Sequence, residues 1–324
     1  MTDEHVPVPP TPPALAVEEL ALEGEAAAGT PPAGGVPGRE RAERIGTIVT
    51  YTVMFTVAAL FFIPFLWSVS TSFRTIQDTV QGFSLLPKHW TTIGYHEVFH
   101  KYHFGRYTLN SAIIAGAITI SNLFLASLGG YAFARLRFPG REVLFMLVLG
   151  TLMIPDQLRL VPIYEMLVNM VPSWLGHIGL HNVSLVNRNG LILIKLVSAA
   201  SLFLMRQYFL TIPRDLEEAA KLDGAGYFKT YWRVMLPLAG PAVAAVAILT
   251  FQGAWNDLFW PAVLLQEESQ HTIPLGLAYF QQVYTTLWPD LMAASVAAIL
   301  PILILFVLFQ RYFVAGVAAS GVKG

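Results

Sequence analysis

Six stretches of the chain are apolar almost without interruption: residues 47–69, 109–134, 142–168, 190–210, 238–265 and 291–313. The hydrocarbon core of a bilayer is ~30 Å thick and takes about 20 residues of helix. Each stretch meets that length. A helix on the surface of a soluble core keeps one polar face, and runs this long and this uniform leave none. The pattern predicts an all-α membrane protein with six transmembrane helices. The charged positions between the runs set a direction. With the N-terminus inside, the inner segments carry Arg39, Arg41 and Arg44, then Arg135, Arg137 and Arg141. They also carry Arg206, Arg214, Lys221, Lys229 and Arg233, and finally Arg311 and Lys323. The outer segments carry only Arg74, Lys88, Lys101, Arg106 and Arg188, while Arg159 and Lys195 fall within or at the edge of runs. This bias predicts that both termini are cytoplasmic. Trp67, Trp90, Trp174 and Trp288 fall near the predicted outer boundaries, where amphipathic rings settle.

Composition narrows the classes further. Charged residues make up 13% of the 324, against about 25% in an ordinary soluble domain, so a water-soluble enzyme is disfavoured. A net charge of −1 lacks the basic surplus that nucleic acid requires. The absence of cysteine excludes disulfides, thiol catalysis and thiolate metal sites. His177 and His181 stand at i, i+4 on a polar outer loop, but two ligands do not make a metal site. Residues 1–38 are of a different kind, with eight of the 21 prolines, six acids and no Lys or Arg. Such a segment buries too little apolar surface to offset its ordering entropy. Residues 1–44 are therefore read as a disordered Pro/Ala/Glu-rich cytoplasmic tail, its acidic start being unlike a signal peptide. Residues 45–324 form the six-span domain.

The inner loop at about 211–237, between the fourth and fifth spans, is the most informative segment. Pro213 suits the first turn of a helix, and Asp215, Glu217 and Glu218 suit its N-terminal dipole end. Leu216, Ala219, Ala220 and Leu222 supply a narrow apolar face, and Gly224 and Gly226 permit the turn that ends the helix. A second amphipathic stretch with Tyr227, Phe228, Tyr231, Trp232 and Met235 follows, up to Pro237. Amphipathicity alone leaves two uses open, docking in a groove of a soluble partner or lying on lipid.

The order Glu218-Ala219-Ala220, three residues, Gly224, nine residues, Val234-Met235-Leu236-Pro237 resembles the EAA loop of ATP-binding-cassette importer permeases, with Val at a position where Ile is commoner. Further segments are similar to the carbohydrate-uptake, maltose-transporter type, binding-protein-dependent branch of that family. They are Met153-Ile154-Pro155 with Ile163-Tyr164, Arg206-Gln207-Tyr208-Phe209, Trp255-Asn256-Asp257, and the ending from Gln310-Arg311-Tyr312-Phe313-Val314 to Gly321-Val322-Lys323-Gly324. The resemblance spans roughly residues 45–324. It implies the type I importer permease fold in the bacterial cytoplasmic (inner) membrane. It also implies a second homologous permease, two ATPase subunits and an extracytoplasmic solute-binding protein as partners. The chain carries no Gly-x-x-x-x-Gly-Lys-Ser/Thr phosphate loop, so it is expected to be no enzyme and to bind no cofactor. ATP and Mg would be used by the partners. The resemblance assigns ATPase coupling to Glu218, Ala219, Ala220, Asp223 and Gly224, with Glu218 as the acidic anchor.

Polar residues within spans are functional candidates, because hydrocarbon penalises them. In the fifth span Gln252, Asn256 and Phe259 fall on one helical face at i, i+4 and i+7, beside Trp255, Asp257 and Trp260. Amides that match hydroxyls beside aromatic faces suit a sugar pathway. Hydrogen bonding that merely holds the bundle together is the other use. Asp156, Lys195 and Asp257 fall at similar depth in the outer half. Lys195 either snorkels to the headgroups or pairs with Asp257 or Asp156 as an outer gate. Asn110-Ser111 suit a helix cap, and Gly129-Gly130 suit close helix packing. The expectation is the permease subunit of an ATP-driven importer of a sugar such as a maltose- or trehalose-type oligosaccharide. A permease for glycerol phosphate, polyamine or another solute, and a stand-alone secondary transporter, are the alternatives.

Overall fold

The computed structural model describes residues 37–80, 84, 86–173, 184–278, 280, 281 and 287–321. Residues 1–36 of the tail, Trp174, His177, His181 and residues 322–324 lie outside them. Every regular element among the described residues is a helix. The chain divides after Pro64 into two compact units. The first unit is the leading part of α1 (Pro37–Ser72). Pro37 is pre-set for the first helical position, so residues 37–44, which composition places with the tail, are helical. Within this unit large side chains point outward all round the helix, Phe55 at 78% and Phe61 at 79% exposure. A helix of that kind is built to meet lipid or protein, not water.

In the second unit α2 (Phe104–Arg135) is the central element. Phe104 and Tyr107, near its beginning, pack with Trp255, Ile273, Leu291 and Ala294. Ile114 and Ile118 pack with Leu191, Trp260 and Leu264. Tyr131 and Ala134, near its end, pack with Met205, Phe209, Tyr231 and Met235. Gly130 permits the close approach of α2 to Met205 and Arg206. A Cβ there would lie 2.7 Å from the Cβ of Met205 and 2.9 Å from the backbone nitrogen of Arg206. Because α2 begins at Phe104, Asn110 and Ser111 are inside it and cannot cap it. They hold residues 269–273, which lead into the short helix Ile273–Ala278, instead: Asn110 Nδ2 donates to the carbonyls of Ser269 and His271, and Ile273 N donates to Ser111 Oγ.

The third, fourth and fifth apolar runs are broken helices. In the third run, α3 (Arg141–Gly150) and α4 (Asp156–Glu165) flank a turn, and the two arms are bent by 105°. Pro155 has no N–H to continue the ladder, and Ile154 before it is extended. In the fourth, α5 (Arg188–Ile194) and α6 (Ala199–Thr211) meet at 42°. After α7 (Asp215–Leu222), a helix over Tyr227–Leu238 meets α8 (Gly240–Trp255) at 78°. The fifth run does not continue to residue 265, because α8 ends at Trp255 and α9 (Phe259–Leu264) restarts. Pro261 explains the restart: it cannot donate to Asp257 within a continuous helix, yet is tolerated in a first turn. The last run lies in α10 (Trp288–Gly321). Among the described residues two helices are long and apolar enough to cross a membrane alone, and up to five if each bent pair is one span.

Candidate functional site

Two places gather polar chemistry. The first is α7. Its first turn carries Asp215, Glu217 and Glu218, and its last carries Lys221, each matching the charge at that helix end. Pro213 falls just before the helix. Leu222 is its last residue, and Gly224 follows in the left-handed region at φ 74°. Gly224 N donates to Lys221 O at 3.0 Å and Ala225 N to Ala220 O at 2.9 Å. Those two bonds form a Schellman turn, which satisfies two terminal carbonyls and needs a residue without a Cβ penalty. Glu217 and Ala220 are the buried residues of α7. Glu218, Ala219 and Asp223 are exposed, as are Leu216 and, at 90%, Leu222. Tyr227, Phe228 and Trp232 add exposed aromatic surface just beyond the turn. Exposed apolar groups gathered around one short helix mark an interaction surface.

The buried side of α7 is held by charge. Arg135 Nε lies 3.2 Å from Glu217 Oε1, with the two side chains 4% and 10% exposed. Arg135 Nη2 also donates to the carbonyls of Phe209 and Ile212 at the end of α6. Three elements thus meet on one guanidinium. Removing one member of a buried ion pair leaves the other uncompensated, a loss of about 3–5 kcal/mol. A second tie lies alongside: Ser127 Oγ of α2 and the Tyr231 hydroxyl are 2.7 Å apart and buried.

The second place is a cavity of ≈ 620 Å³ where the broken helices face one another. Its polar lining comes from Asn122, Thr151, Asp156, Arg159, Lys195, Ser198, Ser201 and Thr250. The break between α5 and α6 leaves backbone groups open, and Asn122 takes them up. Its Nδ2 donates to Lys195 O at 2.9 Å, and its Oδ1 accepts from Ser198 N at 2.7 Å. Lys195 Nζ contacts Asp257 Oδ2 at 2.6 Å, and Asp257 Oδ1 accepts from Phe259 N at 3.1 Å and Trp260 N at 3.4 Å. Asp257 therefore satisfies the first two backbone N–H groups of α9 and is the counter-ion of Lys195 at once. Asp156 is not in that pair. It forms an ion pair with Arg159 and accepts from Trp260 Nε1 at 3.3 Å. Trp260 connects the two pairs through its indole and its backbone.

The residues that periodicity places on one face of the fifth span are separated here. Asn256 is the C-cap of α8, and Phe259 opens α9, so the i, i+4, i+7 face with Gln252 does not exist as such. Gln252 and Asn256 are exposed and Phe259 is half-buried. Trp255 is buried, stacked on Phe251 with Nε1 donating to Ala298 O at 3.3 Å. None of Gln252, Trp255, Asn256, Asp257 and Phe259 lines the cavity. Sequence reasoning passed over Asn122, and it counted Arg135, Arg159 and Glu217 only for their charge, without assigning them partners. Only the cost of a polar residue inside or beside an apolar run singles these four out.

Residues 124–319 match the family model described as binding-protein-dependent transport system inner membrane component. The chain is 38% identical to the arabinooligosaccharides transport system permease protein AraQ of Halalkalibacterium halodurans over 66% of this chain and 73% of that protein. It is 32% identical to the trehalose/maltose transport system permease protein MalG of Thermococcus litoralis, over 86% and 96% of the two chains. Among solved structures, a chain of a bacterial ABC transporter involved in import of the acidic polysaccharide alginate superposes with a TM-score of 0.70 at 25% identity, covering 88% of this chain and 100% of that one. The matched residues include the exposed helix α7, its glycine turn and the broken helices around the cavity. The chain belongs to the family of binding-protein-dependent transport system inner membrane components.

Proposed function

We propose that the chain is the permease subunit of an ATP-driven sugar importer in a bacterial inner membrane. It crosses the membrane six times with both termini in the cytoplasm. Its substrate is a di- or oligosaccharide, in keeping with the arabinooligosaccharide and trehalose/maltose systems of its relatives. An extracytoplasmic binding protein delivers the sugar, and a second, homologous permease completes the pathway. Gln252 and Asn256, exposed on this subunit, face that partner. Two ATPase subunits supply ATP and Mg chemistry, and this chain hydrolyses nothing.

The observation that carries the coupling role is α7 itself. It presents Glu218, Ala219 and Leu222 outward and is ended by the Gly224 turn. A groove on the ATPase takes the small outward face, and Glu218 meets a basic residue there. When the ATPase subunits close, α7 moves and the flanking spans tilt with it. The test is Glu218→Lys and Gly224→Pro in the whole transporter reconstituted in vesicles. Both variants insert and assemble with the second permease, and ATP-dependent uptake drops about tenfold or more. Normal uptake by both removes the coupling role.

A further inference from the structure

We infer that Arg135 is a positioning residue of the coupling movement, which carries the displacement of α7 into α2 as well as into the two spans that flank the loop in the chain. The inference rests on the reading of α7 as the lever gripped by the ATPase. Of the eight residues of α7 only Glu217 and Ala220 are buried, so apolar contact holds the helix weakly. What fastens it is the Arg135–Glu217 ion pair, backed by the hydrogen bonds from Arg135 to the carbonyls of Phe209 and Ile212. Glu217 and Glu218 are adjacent and point to different sides, one to α2 and one outward. A pull received at Glu218 is therefore passed one residue on, to a charge locked onto the end of α2. The guanidinium suits this use because it is planar, permanently charged and able to bond several acceptors at once. Ser127 with Tyr231 repeats the connection between α2 and the helix after the turn. By this account α2, the end of α6, α7 and the Tyr227–Leu238 helix move as one body. The cavity lined by Asn122 of α2 then reshapes with each stroke.

The test uses the complete transporter in vesicles. Two cysteines are introduced into this cysteine-free chain, Arg137→Cys just beyond α2 and Asp215→Cys in α7, both exposed positions, and carry spin labels. In the parent the label separation is the same without nucleotide and with bound ATP. In the double variant Arg135→Met with Glu217→Leu, which leaves no orphaned buried charge, the separation changes between the two states and sugar taken up per ATP hydrolysed falls about tenfold. Arg135→Lys keeps the charge but cannot span all three acceptors, and falls between the two. The inference is overturned if the parent separation changes on ATP binding, or if the double variant keeps uptake per ATP within about twofold of the parent. Should the double variant fail to assemble, the parent separation decides. Glu218→Lys separates the two readings. If it leaves coupling intact, the lever itself is lost, whereas if it uncouples transport and the double variant does not, only the role of Arg135 is lost.

Discussion

Several of the polar side chains that shape this protein satisfy backbone groups rather than one another. Asn122 is 1% exposed and bridges the two sides of the α5–α6 break, which otherwise leaves a half-buried donor and acceptor unpaired. Asn110 and Ser111 do the same for residues 269–273, beside Tyr107, whose hydroxyl donates to Glu268 Oε1 at 2.9 Å. His271 is buried in that loop, 4% exposed. Burial pushes its imidazole below the ordinary histidine value, against the opposing pull of the Glu268 carboxylate and a backbone bond to Leu265. A group whose folded pKa is depressed binds its proton more readily when unfolded. Stability is thus full above about pH 6.5 and is lost as the pH falls toward the folded value. Thermal unfolding of the purified protein should show a melting temperature that declines below about pH 6.5, a component absent from His271→Gln. The same decline in that variant would assign the pH response to other groups.

At the scale of elements, the breaks decide what the apolar runs become. Pro155 is legible in the sequence as a break, because a missing N–H and an extended preceding residue follow from its ring. The breaks at residues 195–198 and 256–258 carry no such mark at the break itself. There the helix gives way to side-chain partners on other elements, Asn122 in one case and Asp257 in the other. Of the two uses open to Lys195, the structure has the ion pair, with Asp257, while Asp156 is taken by Arg159 and Trp260. The pair joins the α5–α6 break to the α8–α9 break, so it is placed to resist their separation. A double-mutant cycle with Lys195→Met and Asp257→Asn should give an interaction of about 1–3 kcal/mol in thermal or denaturant unfolding. In transport, Lys195→Met should restore part of what Asp257→Asn loses, since it removes the uncompensated ammonium. Additive effects in both measurements would make the contact incidental to a gate.

For the whole molecule, the proposed topology makes a prediction of its own. Epitopes placed at either terminus should resist protease added outside intact cells, and one placed in loop 266–287 should be cut. Cleavage at a terminus would reverse the orientation and with it the docking of α7. Much of this protein was legible before folding. Membrane class, the approximate positions of the apolar runs, the bias of Arg and Lys, and the Glu218-to-Pro237 motif follow from residue order and composition, because lipid partitioning and local helix signals act on short stretches of chain. The face assigned to Gln252, Asn256 and Phe259 failed because periodicity assumes an unbroken helix, and Pro261 with Asp257 ended it. The sequence by itself determined which stretches are apolar enough for lipid and that a short charged helix ends at the Gly224 turn. Only the tertiary structure decided which polar groups meet: Arg135 with Glu217, Lys195 with Asp257 across 62 positions, and Trp260 with Asp156 across 104. Those meetings depend on where helices bend and cross, which is set by packing between distant segments and is not encoded in any one of them.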